Sequence, residues 1–225
     1  MKKLSLHWLL IMCAIPSFSQ VVIIRKHFYT IHYDESKKAP LYTVYTLTKD
    51  HVSTKNAVRT GFKVDAAEDC SKQANDDTYS NADNKDPNNP KGNKFDKGHL
   101  APDADFKFDQ SAEKETMLYT NAAPQFWNFN EKIWRNLETH VRELCALNGN
   151  VTVYTGCIYG MQRLHGVAIP IMYWKVIFFK NRKMEFQGKN ISRDDRDWST
   201  LQVDNGTVEA ETRLTFSTAG EPVVL

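Results

Sequence analysis

Glycine, proline and cysteine are all scarce in this sequence, and each scarcity excludes a class of protein. The chain has 225 residues, of which 10 are Gly, 8 are Pro and 4 are Cys. Collagen-like and low-complexity chains contain far more glycine and proline, and small disulfide-rich scaffolds contain far more cysteine. Hydrophobic residues make up 41% and charged residues 25%. This is ordinary globular composition, with enough apolar side chains to bury a core.

The interior of the chain also lacks an apolar run long enough to cross a bilayer, which takes about 20 residues. The longest apolar stretch there, Val167 to Phe179, is interrupted by Pro170 and Lys175. Its β-branched and aromatic residues predict paired strands rather than a membrane helix. We therefore expect no membrane span.

The N-terminal residues have the pattern of a secretory leader. Lys2-Lys3 precede a short apolar run that ends at Ser17-Phe18-Ser19. A basic start, a short apolar segment and small residues at the end are typical of a cleaved signal peptide. The sequence predicts a signal peptide over residues 1–19 and a single exported domain over residues 20–225, located in the periplasm or outside the cell.

A large excess of either charge is missing as well. The predicted leader carries two of the 29 basic residues, which leaves 27 against 27 acidic residues. A polyanion would therefore have to bind to local clusters of cations rather than to a field over the whole surface. The cysteines outside the leader are Cys70, Cys145 and Cys157. Their spacing matches no zinc-binding template, and their odd number allows at most one disulfide.

Strand patterns and one strong helical pattern together indicate the fold class. A helix is predicted from about Asn130 to Leu147, because apolar residues recur there at intervals of three and four and Asn148-Gly149 follows. Strands are predicted at 27–33, 41–48, 151–157 and 171–179, and a short helix near 111–118. These elements do not alternate regularly as βαβ units, so the expected class is α+β with a mostly antiparallel sheet.

The segment from Ser71 to Lys94 contains almost nothing that could join a core. We expect it to form a long excursion across the surface. Loops of this length within a compact domain are usually functional or mobile. This one leads directly into Asp96-Lys97-Gly98-His99, where the residues suited to catalysis begin.

Side chains of a few chemical types are concentrated after this loop. His99 follows Gly98, which gives the backbone freedom where an imidazole must be aimed. Asn130 and Glu138 are eight residues apart, about 80° on an ideal helix, so they share one broad face. Arg142 lies one turn further along. Amide and carboxylate oxygens without cysteine favour a hard cation over zinc.

Three motifs in this region resemble those of a known nuclease family. They are Asp96-Lys97-Gly98-His99-Leu100-Ala101-Pro102, Asn121-Ala-Ala-Pro124-Gln125 and Asn130-x3-Trp134-x3-Glu138. Their order and spacing are similar to the DNA/RNA non-specific endonuclease family, the sugar-non-specific, endonuclease G-like branch of the His-Me finger nucleases. The resemblance is tightest over Asp96–Arg142 and extends more loosely from Arg59 to about Phe216. It implies a ββα-metal fold, with a central, mostly antiparallel sheet flanked by helices.

The resemblance also implies a role for each of these side chains. His99 is the expected general base that takes a proton from the attacking water, and an unperturbed imidazole titrates near pH ~6.5. Asn130 is the expected single direct protein ligand of Mg²⁺, for which Mn²⁺ is expected to substitute. Glu138 is expected to hold metal-bound waters and Asn121 to orient the site. Arg142 is expected to pair with Glu138 or to contact phosphate.

Two further cations are implied as contacts to the substrate. Lys97 stands where the family usually has arginine, so this chain keeps the charge but lacks the planar fork that grips two phosphate oxygens. Arg59 resembles the family's upstream phosphate-contacting arginine. Together with Arg142, these residues form the expected substrate-binding set. The implied substrates are DNA and RNA, and a homodimer is possible.

The sequence therefore predicts an exported, Mg²⁺-dependent endonuclease that hydrolyses phosphodiester bonds of both DNA and RNA. A catalytically inactive relative that only binds nucleic acid is the alternative, and the presence of His99, Asn130 and Glu138 argues against it. An exported structural domain would show no metal dependence. A zinc phosphodiesterase would need more His and Asp ligands than these positions supply.

Overall fold

The computed structural model describes residues 21–192, 196–218 and 223–224, so the predicted leader lies outside the described residues. The strands are β1 (Val21–Arg25), β2 (Tyr29–Asp34), β3 (Ala39–Leu47), β4 (Phe95–His99), β5 (Ala122–Phe126), β6 (Val151–Leu164), β7 (Val167–Phe179), β8 (Arg182–Lys189), β9 (Gln202–Val203), β10 (Leu214–Thr215) and β11 (Val223–Val224). The helices are α1 (Lys49–Ser53), α2 (Asp76–Ser80), α3 (Gln110–Thr116), α4 (Arg135–Asn148) and α5 (Thr207–Thr212), with a π-helical turn at Phe129–Trp134. Among these described elements, no helix combines the length and the apolarity that crossing a membrane requires.

The strands form one large antiparallel sheet and two small ones. The large sheet has the order β1-β2-β3-β6-β7-β8-β9, and β4 pairs with β5 and β10 with β11. Every strand pairing in these sheets is antiparallel. The predicted α+β class with a mostly antiparallel sheet is confirmed.

The central strands extend further than the sequence pattern indicated. β6 continues to Leu164 through two register shifts, and β7 begins at Val167 and runs through Pro170. Lys175, which interrupts the apolar run, is almost fully buried and donates to the hydroxyl of Thr155. The apolar stretch that Pro170 and Lys175 interrupt is therefore a mostly buried strand, which pairs with β6 on one edge and with β8 on the other.

The predicted helix from Asn130 begins as a π-helical turn and becomes α-helical only at Arg135. The N–H of Arg135 donates to the carbonyl of Asn130, five residues back. Along α4, Leu137, Val141 and Cys145 are buried against the sheet, as the periodicity predicted. π-helical turns often occur at functional sites, and this one carries Asn130.

The segment from Ser71 to Lys94 is more ordered than expected, because its asparagines replace missing apolar contacts. Asn84 is fully buried: its amide nitrogen donates to the carbonyls of Tyr79 and Phe95, at 2.7 and 3.0 Å, and its oxygen accepts from Phe95 N. Tyr79 is also buried, in a cluster with Phe95 and Tyr119. The expectation that this segment contributes almost nothing to a core was wrong.

The cysteines in the described part of the chain form no disulfide. Cys70 is exposed, whereas Cys145 and Cys157 are buried, and all three are free. Burial raises the pKa of the Cys145 thiol to about 11, so this side chain is a neutral core residue near pH 7.

Candidate active site

The motif residues meet around one cavity of about 690 Å³. Its walls come from β4 and the turn after it, the π-helical turn, α4, the long excursion and the segment that precedes the excursion. The sequence-predicted site residues that line it are Arg59, Lys97, His99, Asn130, Glu138 and Arg142. Asn121 is not part of the wall.

Gly98 allows β4 to lie tightly against β5. A Cβ atom at this position would lie 2.4 Å from Gln125 Oε1 and 2.5 Å from Gln125 Cβ, and 3.1 Å from the carbonyl oxygen of Ala123. Real Cβ atoms do not approach a neighbouring atom closer than about 3 Å, so the glycine is needed for this packing. The close contact fixes the end of β4, where His99 points into the cavity.

The imidazole of His99 is half-buried and neutral at physiological pH. Its Nε2 lies 3.3 Å from the sulfur of Met117, and its ring centroid is 4.7 Å from that of Phe62. Burial lowers the pKa of His99 from 6.5 to about 4, although the carboxylate of Asp103 opposes the shift. The sequence indicated titration near pH 6.5. In the folded chain His99 is in the proton-accepting form over the whole neutral range.

Asn130 is oriented by the carboxylate of Asp96, for which the sequence predicts no role. The amide nitrogen of Asn130 donates to Asp96 Oδ2 at 3.0 Å. Since the nitrogen is engaged in this way, the amide oxygen is the atom left for a cation, and no hydrogen-bond donor contacts it among the described residues. Burial raises the pKa of Asp96. The only sequence signal for Asp96 was its place at the start of the histidine motif.

Asn121 holds the backbone beside His99 instead of facing the cavity. It is fully buried, and its Oδ1 accepts from Ala101 N at 2.9 Å. Its Nδ2 donates to the carbonyls of Ala101 and Thr116, at 2.8 and 2.9 Å. The backbone carbonyl of Asn121 also accepts from Leu100 N at 3.0 Å. These bonds hold the chain immediately after His99, and the positioning role expected for Asn121 stays a prediction.

Replacing Asn121 by alanine is expected to lower the free energy of unfolding by about 1–3 kcal/mol, because buried backbone groups of Ala101 and Thr116 lose their partners. Urea denaturation of the purified variant measures the loss. Asn136→Ala, an exposed change in α4, is the control and should stay within about 0.5 kcal/mol of the wild type. An Asn121→Ala variant as stable as this control would contradict the positioning role.

The carboxyl of Glu138, on the cavity side of α4, has an unusually high pKa. It is half-buried, and burial raises the pKa of its carboxyl from 4.5 to about 7. The ammonium of Lys175 opposes this shift and the carboxylate of Asp105 adds to it. Near pH 7 the group therefore lies close to its midpoint, and a bound cation would favour its charged form.

Arg142 is held by a different carboxylate from the one expected. Its Nη1 donates to Asp105 Oδ1 at 2.9 Å, and its Nη2 donates to Thr139 Oγ1 at 2.9 Å. Asp105 is itself buried and accepts from the hydroxyl of Tyr45 at 2.6 Å. The expected pairing with Glu138 is replaced by this pairing with Asp105, which fixes the guanidinium at the cavity wall.

The ammonium of Lys97 lies in a cage of three aromatic rings closed by a carboxylate. It is 5.2 Å from the ring centroid of Tyr119, 5.3 Å from that of Phe62 and 5.9 Å from that of Tyr79. Its Nζ is also 3.1 Å from Asp76 Oδ1. A phosphate that reached Lys97 would have to compete with Asp76. Its role as a phosphate contact stays a prediction.

Other cavity cations are also paired with carboxylates, including Lys107, which no sequence motif indicates. Asp103 Oδ2 lies 3.3 Å from Lys107 Nζ and 3.8 Å from an Arg59 nitrogen. Lys91 forms an ion pair with Glu131. Lys107 had no motif or spacing to mark it, because only the fold brings it beside His99. The cavity thus carries many cations, but carboxylates neutralise most of them.

The oxygen atoms around the cavity fit a hydrated divalent cation better than a fully chelated one. Across the described residues, no group of three or more His, Cys, Asp or Glu side chains is arranged to hold a metal ion. Asn130 offers one amide oxygen, and Glu138 lines the same cavity. Mg²⁺ usually keeps several waters and takes few protein ligands, so this donor set suits it.

Comparison with known proteins identifies relatives of this site and fold. A model of the DNA/RNA non-specific endonuclease family matches residues 13–221. Human mitochondrial endonuclease G is 30% identical over 166 residues, covering 68% of this chain and 52% of that protein. A nuclease of Serratia marcescens is 31% identical over 179 residues, covering 75% of this chain and 62% of that protein.

A solved structure confirms the architecture. A chain in the crystal structure of the EndoG/EndoGI complex superposes with a TM-score of 0.74 and 25% identity, covering 86% of this chain and 84% of that chain. The predicted ββα-metal fold is thereby confirmed. The chain spans about half or less of the length of the first curated relatives it matches.

Proposed function

The chain belongs to the DNA/RNA non-specific endonuclease family, and we propose that it is an exported, Mg²⁺-dependent enzyme that hydrolyses phosphodiester bonds in DNA and RNA. One observation carries the proposal: a neutral His99 and the oriented amide of Asn130 line the same cavity as Glu138. A base and a metal-binding oxygen facing one space are the parts that phosphodiester hydrolysis needs.

In the proposed reaction His99 acts as the general base. The lone pair of its neutral ring nitrogen accepts a proton from a water molecule, whose oxygen attacks phosphorus. The bond between phosphorus and the 3′ oxygen breaks and this oxygen takes up a proton from solvent, which leaves a 5′-phosphate and a 3′-hydroxyl. Because the attacking group is water and not the 2′-hydroxyl, the sugar does not decide whether cleavage occurs.

The chain's own residues prepare the place for the cation. Asp96 holds the nitrogen of Asn130, so the amide presents its oxygen to the cavity. Glu138, which lines the same cavity, would accept hydrogen bonds from water molecules bound to the cation. When bound, Mg²⁺ would stabilise the negative charge that develops on the phosphate and the leaving oxygen. Arg142, one turn further along α4 and fixed by Asp105, would contact a phosphate oxygen in the same cavity.

The test of this function uses residues 20–225 on plasmid DNA and on structured RNA, with Mg²⁺ and with excess EDTA. We expect both substrates to be degraded at many positions, and only with the metal. A single defined cut site, or full activity in EDTA, would contradict the proposal. Binding of both nucleic acids without cleavage in Mg²⁺ or Mn²⁺ would instead support the inactive binding relative. N-terminal sequencing of protein exported by the cell tests cleavage after Ser19.

In the metal-free protein the carboxyl of Glu138 is expected to titrate near pH 7, because burial favours its neutral form. Added Mg²⁺ should lower this pKa, since a nearby cation favours the carboxylate. Carbon-13 NMR of the glutamate carboxyls measures both values. Glu143, which is mostly exposed on the same helix, is the control and should show no Mg²⁺-dependent shift. A Glu138 pKa near 4.5 that does not change when Mg²⁺ is added would contradict the role of Glu138 beside the cation.

A further inference from the structure

The cations inside the cavity and those beside it differ in how they are neutralised. Inside the cavity, the cations that form ion pairs with carboxylates are Arg59, Lys91, Lys97, Lys107 and Arg142. Beside it, Lys94 and Lys132 are exposed and have no carboxylate partner among the described residues. Arg135 also lines the cavity and has no carboxylate partner among the described residues, so a polyanion on this face meets uncompensated charge there and at the two lysines beside the cavity.

Both rim lysines lie over aromatic rings. The Nζ of Lys94 is 5.3 Å from the ring centroid of Phe95 and 5.8 Å from that of Phe126. The Nζ of Lys132 is 5.9 Å from the ring centroid of Trp127. The rings of Phe126 and Trp127 are only half-buried. We call Lys94, Phe126, Trp127 and Lys132 the rim patch.

The rim patch is continuous with the cavity wall. The backbone N–H of Trp127 donates to the carbonyl of Lys94 at 3.3 Å, and this bond links Lys94 to the rest of the patch. Phe126 packs on Phe95, a wall residue, at a centroid distance of 4.4 Å. Trp127 precedes Asn130 by three residues. The rim patch therefore adjoins the part of the cavity where a phosphate would meet Asn130.

We propose that the rim patch binds a single-stranded stretch of the nucleic acid next to the phosphate being cleaved. Trp127 would stack on an unpaired base while Lys94 and Lys132 contact phosphates. Aromatic faces between cations are how proteins hold single strands without reading their sequence, because every base has a π-face. A duplex keeps its bases stacked internally and offers the patch only its phosphates. This inference rests on the proposed function and adds a substrate preference to it.

The test compares three substrates: a single-stranded 20-mer, the same sequence as a duplex, and a p-nitrophenyl ester of thymidine 5′-phosphate, which is too short to reach the patch. Trp127→Ala should raise KM for the single strand about ten times more than it raises KM for the ester. Trp127→Phe keeps an aromatic face and should recover most of this loss. Similar KM increases for duplex and single strand, or none for either, would overturn base stacking.

The two lysines are tested through the salt dependence of binding. The slope of the logarithm of the binding constant against the logarithm of the salt concentration measures the number of phosphate contacts. In the Lys94→Gln/Lys132→Gln double variant, this slope for single strands should become shallower by about 0.7 per lost phosphate contact. Lys49→Gln, at an exposed lysine of α1 outside the cavity wall and the rim patch, should leave the slope unchanged. An unchanged slope in the double variant would overturn the patch.

Failure of the patch and failure of the proposed function give different results. Fluorescence anisotropy with labelled single strands, measured in a His99→Ala background, reports binding even if no substrate is cleaved. A wild-type protein that cleaves nothing, ester included, would contradict the proposed function. In that case, weaker binding of single strands by the His99→Ala/Trp127→Ala double variant than by His99→Ala alone would still support the rim patch.

Discussion

Replacing His99 by alanine is expected to lower kcat by about 10²–10⁴-fold on DNA and RNA alike, the usual cost of losing a general base. The loss should be the same for both because water, not a sugar hydroxyl, is the proposed nucleophile. Binding of Mg²⁺ and of nucleic acid should persist, since Asn130 and the cavity cations are unchanged. Initial rates at saturating substrate measure the effect, and residual activity within tenfold of wild type would contradict it.

The stability of the His99→Ala variant provides an independent control. The pKa of His99 is about 4 in the folded chain against 6.5 ordinarily, so between these values the unfolded chain binds more protons than the folded one. Wild-type stability is therefore lost as pH falls through this window. The variant should lose less stability over the same range, which urea denaturation at pH 7 and pH 4.5 can measure. Equal losses would show that the folded chain does not lower the pKa of His99.

Replacing Asn130 by alanine should weaken Mg²⁺ binding by about 100-fold or more. Losing a partner outside the direct ligands typically costs about 10–100-fold, and Asn130 would be the only direct protein ligand. Isothermal titration with Mg²⁺ and Mn²⁺ measures the affinity, and excess Mg²⁺ should restore part of the activity. Asn136→Ala, an exposed change on the following helix, should bind like the wild type.

Two outcomes would count against the ligand assignment. Unchanged Mg²⁺ affinity in Asn130→Ala would reject it directly. Full activity of Asn130→Ala at low Mg²⁺ would also reject it, because the metal would then be held elsewhere. A variant that loses metal binding but keeps nucleic acid binding is the expected result, which separates Asn130 from His99.

The sequence was most informative where local patterns decide the structure. The strands near Tyr29–Asp34 and Ala39–Leu47 and the body of α4 follow from β-branched runs and from apolar spacing at three and four. The π-helical turn could not be predicted, because the spacing of the apolar residues in this segment is equally compatible with an α-helix. It changes the geometry at Asn130 without changing the pattern.

Long-range pairing decided the parts of the site that the sequence could not show. Arg142 bonds to Asp105 rather than Glu138 because the turn after β4 brings this buried carboxylate to α4. Asp76, which closes the cage around Lys97, lies in a segment that looked like a bare loop. Such contacts join positions 21 to 37 residues apart, so no local spacing marks them.

The low pKa of His99 also depends on the fold. The sequence offers only the ordinary imidazole value, because burial is a property of the packed structure. Here β4 and its neighbours remove water from the ring, which keeps it neutral well below pH 7. The residue predicted as a base therefore stays unprotonated well below neutral pH, for a reason that the sequence does not contain.

Analysis of the product ends tests the central claim most directly. A mixed-sequence RNA and its DNA counterpart, each incubated with the wild-type chain and Mg²⁺, would be examined for their terminal groups by mass spectrometry. Attack by a water molecule that His99 deprotonates predicts 5′-phosphate and 3′-hydroxyl ends at many positions in both. Cleavage of RNA alone, with 2′,3′-cyclic or 3′-phosphate ends, would show that the 2′-hydroxyl is the nucleophile and would contradict the account.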